Sequence, residues 1–256
     1  MIVSLIKVLV IALATMVLAA CMTTTQNNSS GNYRESALKE RARAHSDLAA
    51  AYFQQNKYEI ALTEFTEATK IDPTYSPAYN GLGLVYAALG EDAKADANFL
   101  KAIQVQPNSS EAHNNYGSFL CARKRYDESI PHFLAAVKNP LYPTPNLAYA
   151  NAGICSARKN DTKSAEIYLN KALQLQPLTY SAAYQLAEIQ FKRGEVKTAK
   201  STLQNVIIAS PTPESLWLAI RIERLLGGRD NEASYALQLR QQYPDSEQTR
   251  LLLSGQ

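Results

Sequence analysis

Apolar and small residues recur in a fixed order along the chain, most clearly between Ser76 and Pro107. With Ser76 as position 1, large side chains occupy positions 4, 7, 11 and 24, small ones occupy positions 8, 20 and 27, and proline occupies position 32. The residues at these positions are Tyr79, Leu82, Tyr86, Phe99, Gly83, Ala95, Ala102 and Pro107. Spacings of three and four predict two amphipathic helices joined by a turn near Gly90. Proline ends the second helix because it lacks an amide donor and its ring clashes with the preceding turn.

This unit is found six times, and its period of about 34 residues resembles the tetratricopeptide repeat (TPR). The predicted repeats span residues 42–75, 76–109, 110–145, 146–179, 180–213 and 214–246. The resemblance implies an all-α fold, a right-handed TPR superhelix (α-solenoid) in which the first helix of each repeat, helix A, lines the concave face. One helix pair cannot bury its own apolar face, so the repeats must stack. We therefore predict one domain over residues 32–250.

Two repeats depart from the pattern. The third closes with the segment 139–145 (NPLYPTP), which is two residues longer than the pattern requires. The sixth has arginines within helix A, at Arg221 and Arg224, and its proline comes one residue early. Counting along this repeat assigns Ala233 and Leu237 to the buried face of its second helix, helix B. Its polar character is typical of a capping repeat.

The N-terminus has the features of an export signal. One cation, Lys7, precedes an apolar run over residues 8–18, which is too short to span a bilayer stably. The residues that follow, 18–21 (LAAC), resemble the lipobox of bacterial lipoproteins, which implies removal of residues 1–20 and a covalent lipid on Cys21. Met22 in place of aspartate implies the outer membrane, with the protein facing the periplasm. A plain secretory signal or a short membrane anchor is the alternative.

The polar residues 22–31 (MTTTQNNSSG) that follow Cys21 predict a flexible tether. Asn32 and Glu35 have the spacing of a capping box, so we expect the first helix to begin there and to run to about residue 55.

Charge and motif content exclude several classes of function. The formal net charge is only +3, and no basic stripe follows a predicted helix, so nucleic acid is not an expected partner. Nucleophile elbows, phosphate-binding loops and zinc-protease motifs are absent from the sequence. His45, His113 and His132 lack metal-ligand spacing. We therefore predict a protein that is not an enzyme and has no cofactor, metal or small-molecule substrate.

Two cysteines remain once Cys21 carries lipid. Cys121 and Cys155 lie in the A helices of repeats 3 and 4, which are neighbours in the predicted stack. The periplasm is oxidising, so we expect a disulfide, provided that the two Cα atoms come within about 7 Å. Two buried free thiols are the alternative.

Side chains of helix A that do not build the repeat are the candidates for binding a partner. Asparagine amides both donate and accept hydrogen bonds, so they suit the backbone of an extended peptide. The predicted groove residues are Phe53, Asn80, Leu84, Asn114, Asn115, Asn151, Ile154 and Arg158. Alternatively, the asparagines face solvent or link neighbouring helices.

The chain resembles the pilotin family of type IV pilus biogenesis, called PilF or PilW. The resemblance rests on the lipobox, the polar tether, the six repeats and three segments, 78–90 (AYNGLGLVYAALG), 113–121 (HNNYGSFLC) and 140–155 (PLYPTPNLAYANAGIC). It implies an outer-membrane lipoprotein that binds the secretin subunit and promotes its localisation and multimerisation. A lipoprotein scaffold that tethers or regulates cell-wall enzymes has the same anchor and fold and is the alternative.

Overall fold

The computed structural model describes residues 34–255, and every regular element in that range is an α-helix. The predicted signal segment, Cys21, the tether and Asn32 lie outside the described residues. The described part of α1 covers residues 34–54. The helices that follow are α2 (Tyr58–Ile71), α3 (Ser76–Ala88), α4 (Asp92–Val105), α5 (Ser110–Ala122), α6 (Tyr126–Ala136), α7 (Pro145–Arg158), α8 (Thr162–Leu175), α9 (Tyr180–Lys192), α10 (Val196–Ala209), α11 (Pro213–Leu226), α12 (Arg229–Gln242) and α13 (Glu247–Leu253).

The described helices form two compact units, which are divided between Gln106 and Pro107. Within the first unit α2 packs against α3, and α3 packs against α4. Within the second unit each helix from α5 to α12 packs against the next one, and α13 packs against α11 and α12. The predicted all-α helical-repeat fold is therefore confirmed, with helix A and helix B of each repeat as consecutive helices.

A left-handed residue in the turn between helix A and helix B recurs at position 15. Asn56, Gly90, Lys124, Asn160 and Gly194 hold this position, with φ between 58° and 86°. Glycine and asparagine adopt this conformation at low cost, so they are the residues expected there. Each of these turns has three residues between helix A and helix B.

Helix B ends where proline at position 32 requires it. The residue before each proline has left the helical region, as at Asp72 (ψ 97°), Gln106 (ψ 86°) and Gln176 (ψ 101°). Proline disfavours helical backbone in the residue before it, which explains the common end point. The third repeat lacks this proline, and its helix B ends earlier, at Ala136. Tyr142 of the long connection is buried against the same small cluster as Ala136.

Small residues at position 8 allow helix A and helix B to approach closely. A Cβ atom on Gly83 would lie 2.7 Å from ring atoms of Phe99, and one on Gly153 would lie 2.6 Å from Cγ of Leu169. Phe99 and Leu169 are fully buried at position 24. The large side chain of helix B therefore rests directly on the backbone of helix A.

The predicted buried face of the sixth repeat was wrong. Ala233 and Leu237 were expected to face the core, but Ala233 is exposed, Leu237 is 49% exposed, and Leu239 is the buried residue of α12. The turn in this repeat holds only Gly227 and Gly228, one residue fewer than the others. Helix B therefore begins one position early, and its whole buried face shifts by one residue.

Cys121 and Cys155 are joined as a disulfide, with their Cα atoms 5.8 Å apart. Both residues are buried, and Cys155 Sγ also lies 3.3 Å from Ser129 Oγ. The bridge ties α5 to α7 across a sequence separation of 34 residues. In the chain-entropy description a loop of that length stabilises the fold by about 3–4 kcal/mol.

A pair of histidines links α5 to α6. His113 Nε2 lies 3.0 Å from the carbonyl oxygen of Pro107 and therefore carries the proton, which leaves Nδ1 as an acceptor. His132 Nδ1 donates to it over 2.8 Å. Burial lowers the pKa of His132, and the nearby His113 lowers it further, while Glu128 opposes both. The neutral form of His132 is therefore favoured.

Residues 34–255 contain neither a metal-binding cluster nor a membrane-spanning helix. No group of three or more histidine, cysteine, aspartate or glutamate side chains there is placed to hold a metal ion. None of the described helices is both long enough and apolar enough to cross a bilayer.

The close approach of backbone to ring can be tested at Gly81 of α3, where a Cβ atom would lie 2.2 Å from the ring of Phe65. We expect Gly81→Ala to lower the free energy of unfolding by about 1–3 kcal/mol through overpacking. Leucine lacks the ring atoms that clash. In a Phe65→Leu background the same change should be neutral or stabilising, because alanine is the better helix former. Urea unfolding of the four proteins of this cycle measures the coupling, and additive effects would contradict the packing argument.

The histidine pair predicts a pH-dependent stability. Unfolded His132 titrates near its ordinary pKa of about 6.5, whereas folded His132 titrates lower, so the unfolded state binds more protons in that range. The free energy of unfolding should therefore fall as the pH drops from 7.5 to 5.5. His132→Gln keeps a donor towards His113 but does not titrate, so it should show a smaller fall. Parallel urea-unfolding profiles for the two proteins would rule out this role for His132.

Candidate functional site

The eight predicted groove residues are divided between the two units. Phe53, Asn80 and Leu84 lie in the first unit. The other five, Asn114, Asn115, Asn151, Ile154 and Arg158, lie in the second. Each unit therefore has its own set of candidate side chains.

In the first unit, Phe53 belongs mainly to the packing. Its ring centroid lies 5.7 Å from that of Tyr58, and both side chains pack against the buried cluster that contains Ala49 and Phe65. Asn80 and Leu84 are both half-buried and lie one turn apart on α3, so they share a face of that helix. These two residues remain the candidates of this unit.

In the second unit, two of the asparagines bond to each other. Asn151 Nδ2 of α7 donates to Asn114 Oδ1 of α5 over 3.1 Å. A link between neighbouring helices was the alternative interpretation of these residues, and the structure shows it for this pair. The amide hydrogens of Asn114 and the carbonyl oxygen of Asn151 are still suited to a peptide backbone. The disulfide joins the same two helices.

Asn115 and Ile154 are both half-buried. Ile154 packs against the buried cluster that includes Leu186 and Ile189 of α9. It therefore contributes to the core between repeats 4 and 5 as well as to the surface.

Arg158 is exposed at the end of α7, beside a cleft of about 320 Å³. Gln185, Glu188 and Lys192 of α9 line the same cleft. Lys192 Nζ forms an ion pair with Glu188 Oε1 at 2.8 Å, and Gln185 Nε2 donates to Glu188 Oε2 over 3.2 Å. This cleft thus combines fixed charges of both signs with an amide.

A second, smaller cleft of about 100 Å³ shares Glu188 with the first. Tyr184, Glu214, Trp217 and Arg221 also line it. Burial raises the pKa of Tyr184 to about 12, and the carboxylates of Glu188 and Glu214 add to this effect. The phenol therefore remains protonated at neutral pH and can donate a hydrogen bond to a ligand.

Arg221 is held by an aromatic ring. Its guanidinium carbon lies 4.5 Å from the ring centroid of Phe191 on the neighbouring α9. Such contact favours a cation over the face of the ring and fixes the position of the charge. The departure that the sequence shows at Arg221 thus places a positive charge beside the second cleft.

The sequence prediction missed three of these residues. Tyr184, Glu188 and Phe191 occupy positions 5, 9 and 12 of repeat 5. The predicted groove residues Asn80 and Leu84 occupy positions 5 and 9 of repeat 2. The signal was therefore present in the repeat numbering. The helix A surface of the second unit is defined here by Arg158, Tyr184, Glu188, Phe191 and Arg221.

The helix A surface offers donors, acceptors, both charges and aromatic faces, with no paired nucleophile and base. Its elements come from three consecutive A helices, α7, α9 and α11. An extended polypeptide is the ligand class that uses such a set, because main-chain groups and side chains alternate along it at similar intervals.

Family models of tetratricopeptide repeats match this chain over much of its length. A model described as TPR repeat matches residues 49–90. Models described as tetratricopeptide repeat match residues 76–109, 98–130, 148–177 and 181–212.

Comparison with whole proteins identifies a narrower family. The type IV pilus assembly protein PilF of Pseudomonas aeruginosa is 28% identical over 204 residues, which cover 79% of this chain and 81% of PilF. The solved structure of P. aeruginosa PilF superposes with a TM-score of 0.79 at 29% identity, over 86% of this chain and all of that one. The structure of PilW, a widely conserved type IV pilus biogenesis factor, has a TM-score of 0.74 at 32% identity, over 83% of this chain and 98% of PilW. The chain therefore belongs to the PilF/PilW-like family of tetratricopeptide repeat proteins.

Proposed function

We propose that this protein is an outer-membrane pilotin, which binds the secretin subunit of the type IV pilus and promotes its localisation and multimerisation. The observation that carries the proposal is the similarity to PilF and PilW over nearly the whole length of both, since PilF is a pilus assembly protein and PilW a pilus biogenesis factor. The finer assignment, to the secretin as client, rests on the resemblance of segments 78–90, 113–121 and 140–155 to the pilotin family.

The anchor would act by raising local concentration. A lipid on Cys21 would hold the protein at the outer membrane, since acyl chains contribute about 0.8 kcal/mol per buried methylene. Residues 22–31 reach at most about 33–36 Å when extended. A client subunit bound to the folded repeats would thus be confined near the membrane in which it assembles, and confinement favours assembly without any new contact.

The helix A surface would hold a segment of the client. Tyr184 can donate a hydrogen bond, Glu188 can accept one, and Arg221 carries a fixed positive charge. The linked amides of Asn114 and Asn151 extend the set of donors and acceptors towards α5. In the oxidising periplasm the bridge between Cys121 and Cys155 would keep α5 and α7 in a fixed relation and so keep these amides in place.

The proposed function can be tested by deleting the gene and complementing it with the wild-type chain or with Cys21→Ser. The deletion should abolish pili and leave secretin as monomers, and the wild-type chain should restore heat-resistant secretin multimers in the outer membrane. The Cys21→Ser protein should be absent from the outer-membrane fraction. It should also fail to restore normal multimer levels, because the anchor that confines the client is lost.

A Cys121→Ser/Cys155→Ser variant is the matched control, since it removes two thiols but keeps Cys21. It should remain in the outer-membrane fraction. Normal secretin multimers in the deletion strain would refute the pilotin role. If the same strain also had a cell-wall defect, the scaffold of cell-wall enzymes would be favoured. Unchanged fractionation of Cys21→Ser would refute the lipid anchor.

A further inference from the structure

We propose that the last repeat contains a second binding site for a polypeptide, in a cleft between α10, α11 and α12. Glu223 and Lys200 would engage the N–H and the carbonyl oxygen of one extended residue of the bound segment, and the apolar walls of the cleft would hold its aliphatic side chain. The site does not depend on the proposed function, and it lies on residues of α10 to α12 that line neither cleft of the helix A surface.

Glu223 is a charged residue at a helix A position that is apolar in repeats 2 to 5. Position 10 of helix A is a buried apolar residue in repeats 2 to 5, namely Val85, Phe119, Cys155 and Ile189. In the sixth repeat the same position is Glu223, which is only 2% exposed. Burial of an ionised carboxylate is unfavourable unless other groups compensate for it, so its presence requires an explanation.

Only one of the two carboxylate oxygens of Glu223 has a partner among the described residues. Lys200 of α10 forms an ion pair with Oε1 at 2.8 Å. The other oxygen, Oε2, is buried and has no hydrogen-bond partner among the described residues. A buried acceptor without a partner is unusual, because no hydrogen bond within the protein replaces those that the group made to water.

The short turn of the sixth repeat makes room for this carboxylate. A Cβ atom on residue 228 would lie 2.1 Å from Glu223 Oε2, so any larger residue there would displace the carboxylate from this position. The same Gly227-Gly228 turn is one residue shorter than the other turns. Two departures from the repeat pattern, the short turn and the buried glutamate, thus meet at one place.

The cleft beside Glu223 has a volume of about 300 Å³. Its walls are aliphatic, and its rim is polar. The walls are Leu203, Ile207, Ala219 and Ile222, and the rim residues are Gln204, Asn231 and Tyr235. This volume is at the lower end of the range for ligand sites, so it suits one side chain with an adjoining peptide group.

The charges of the cleft select a neutral ligand that both donates and accepts. Oε2 of Glu223 requires a donor, and the Lys200 ammonium, whose side chain is 44% exposed, has hydrogens left to donate. A cationic ligand would be repelled by Lys200, and an anionic one by Glu223. The N–H and the carbonyl group of one extended residue meet both requirements, because they point to the same side of the chain: the N–H can reach Glu223 while the carbonyl oxygen accepts from Lys200.

An ion pair that serves stability alone is the competing explanation, and one double variant separates the two. Glu223→Ile gives the residue found at position 10 of repeat 5, and Lys200→Met removes the unpaired charge. Replacement of a buried ion pair by apolar residues is often neutral or stabilising. The variant should therefore melt no lower than the wild type but lose the binding of an amide ligand.

The probe is N-acetyl-leucine-N-methylamide, titrated into the full chain in detergent micelles and followed by methyl NMR. We expect saturable shifts confined to the methyl groups of Leu203, Ile207 and Ile222, with a dissociation constant on the order of 1 mM, as suits so small a ligand. The doubly N-methylated compound has the same aliphatic side chain but no N–H. It should bind at least tenfold more weakly, because it leaves Glu223 Oε2 without a donor.

Four results would overturn the proposal. Absence of saturable shifts with N-acetyl-leucine-N-methylamide would show that the cleft is not an amide site. Equal binding of the doubly N-methylated compound would show that only the apolar walls attract it, and binding of n-butylammonium in its place would show a cation site. A lowered melting temperature of the double variant, with amide binding retained, would assign the ion pair to stability alone.

Discussion

The contact between a large side chain of helix B and a small residue of helix A is the interaction on which the first five repeats depend. Phe99 on Gly83 and Leu169 on Gly153 leave no space for even one methyl group. Because the two backbones approach so closely, most side chains of the inner faces are used for packing. Positions 5, 9, 12 and 13 of helix A take no part in this contact, and Arg158, Tyr184, Glu188 and Phe191 of the helix A surface occupy them. Arg221, the fifth residue of that surface, occupies position 8 of the sixth repeat.

The repeats and their helix pairs could be predicted from the sequence because the recurring residues are the packing residues themselves. Proline at position 32 even gives the end of helix B, since it acts through the backbone of the residue before it. The register of α12 could not be obtained by counting, because one missing turn residue moves every later side chain by a position. The pair Gly227-Gly228 marked this turn, but its length emerges only from the structure.

The candidate site was less predictable than the fold. Asn114 and Asn151 are polar residues on accessible helix positions, and only the distance between them shows that they bond to each other. Tyr184, Glu188 and Phe191 follow the repeat numbering and could have been selected by it. Glu223 carries the clearest signal of all, a charged residue at a position that other repeats keep apolar, and departures of this kind are often functional.

The central claim, that the helix A surface binds the secretin subunit, is tested most directly by calorimetric titration of that subunit into the purified protein. Glu188→Ala combined with Arg221→Ala should weaken binding at least tenfold, because two of the three charged groups of the second cleft are lost. The matched change Lys171→Ala, at an exposed residue of helix B, should leave binding unaltered. Equal affinities for the wild type and the double variant, with both proteins folded, would contradict the assignment of this surface.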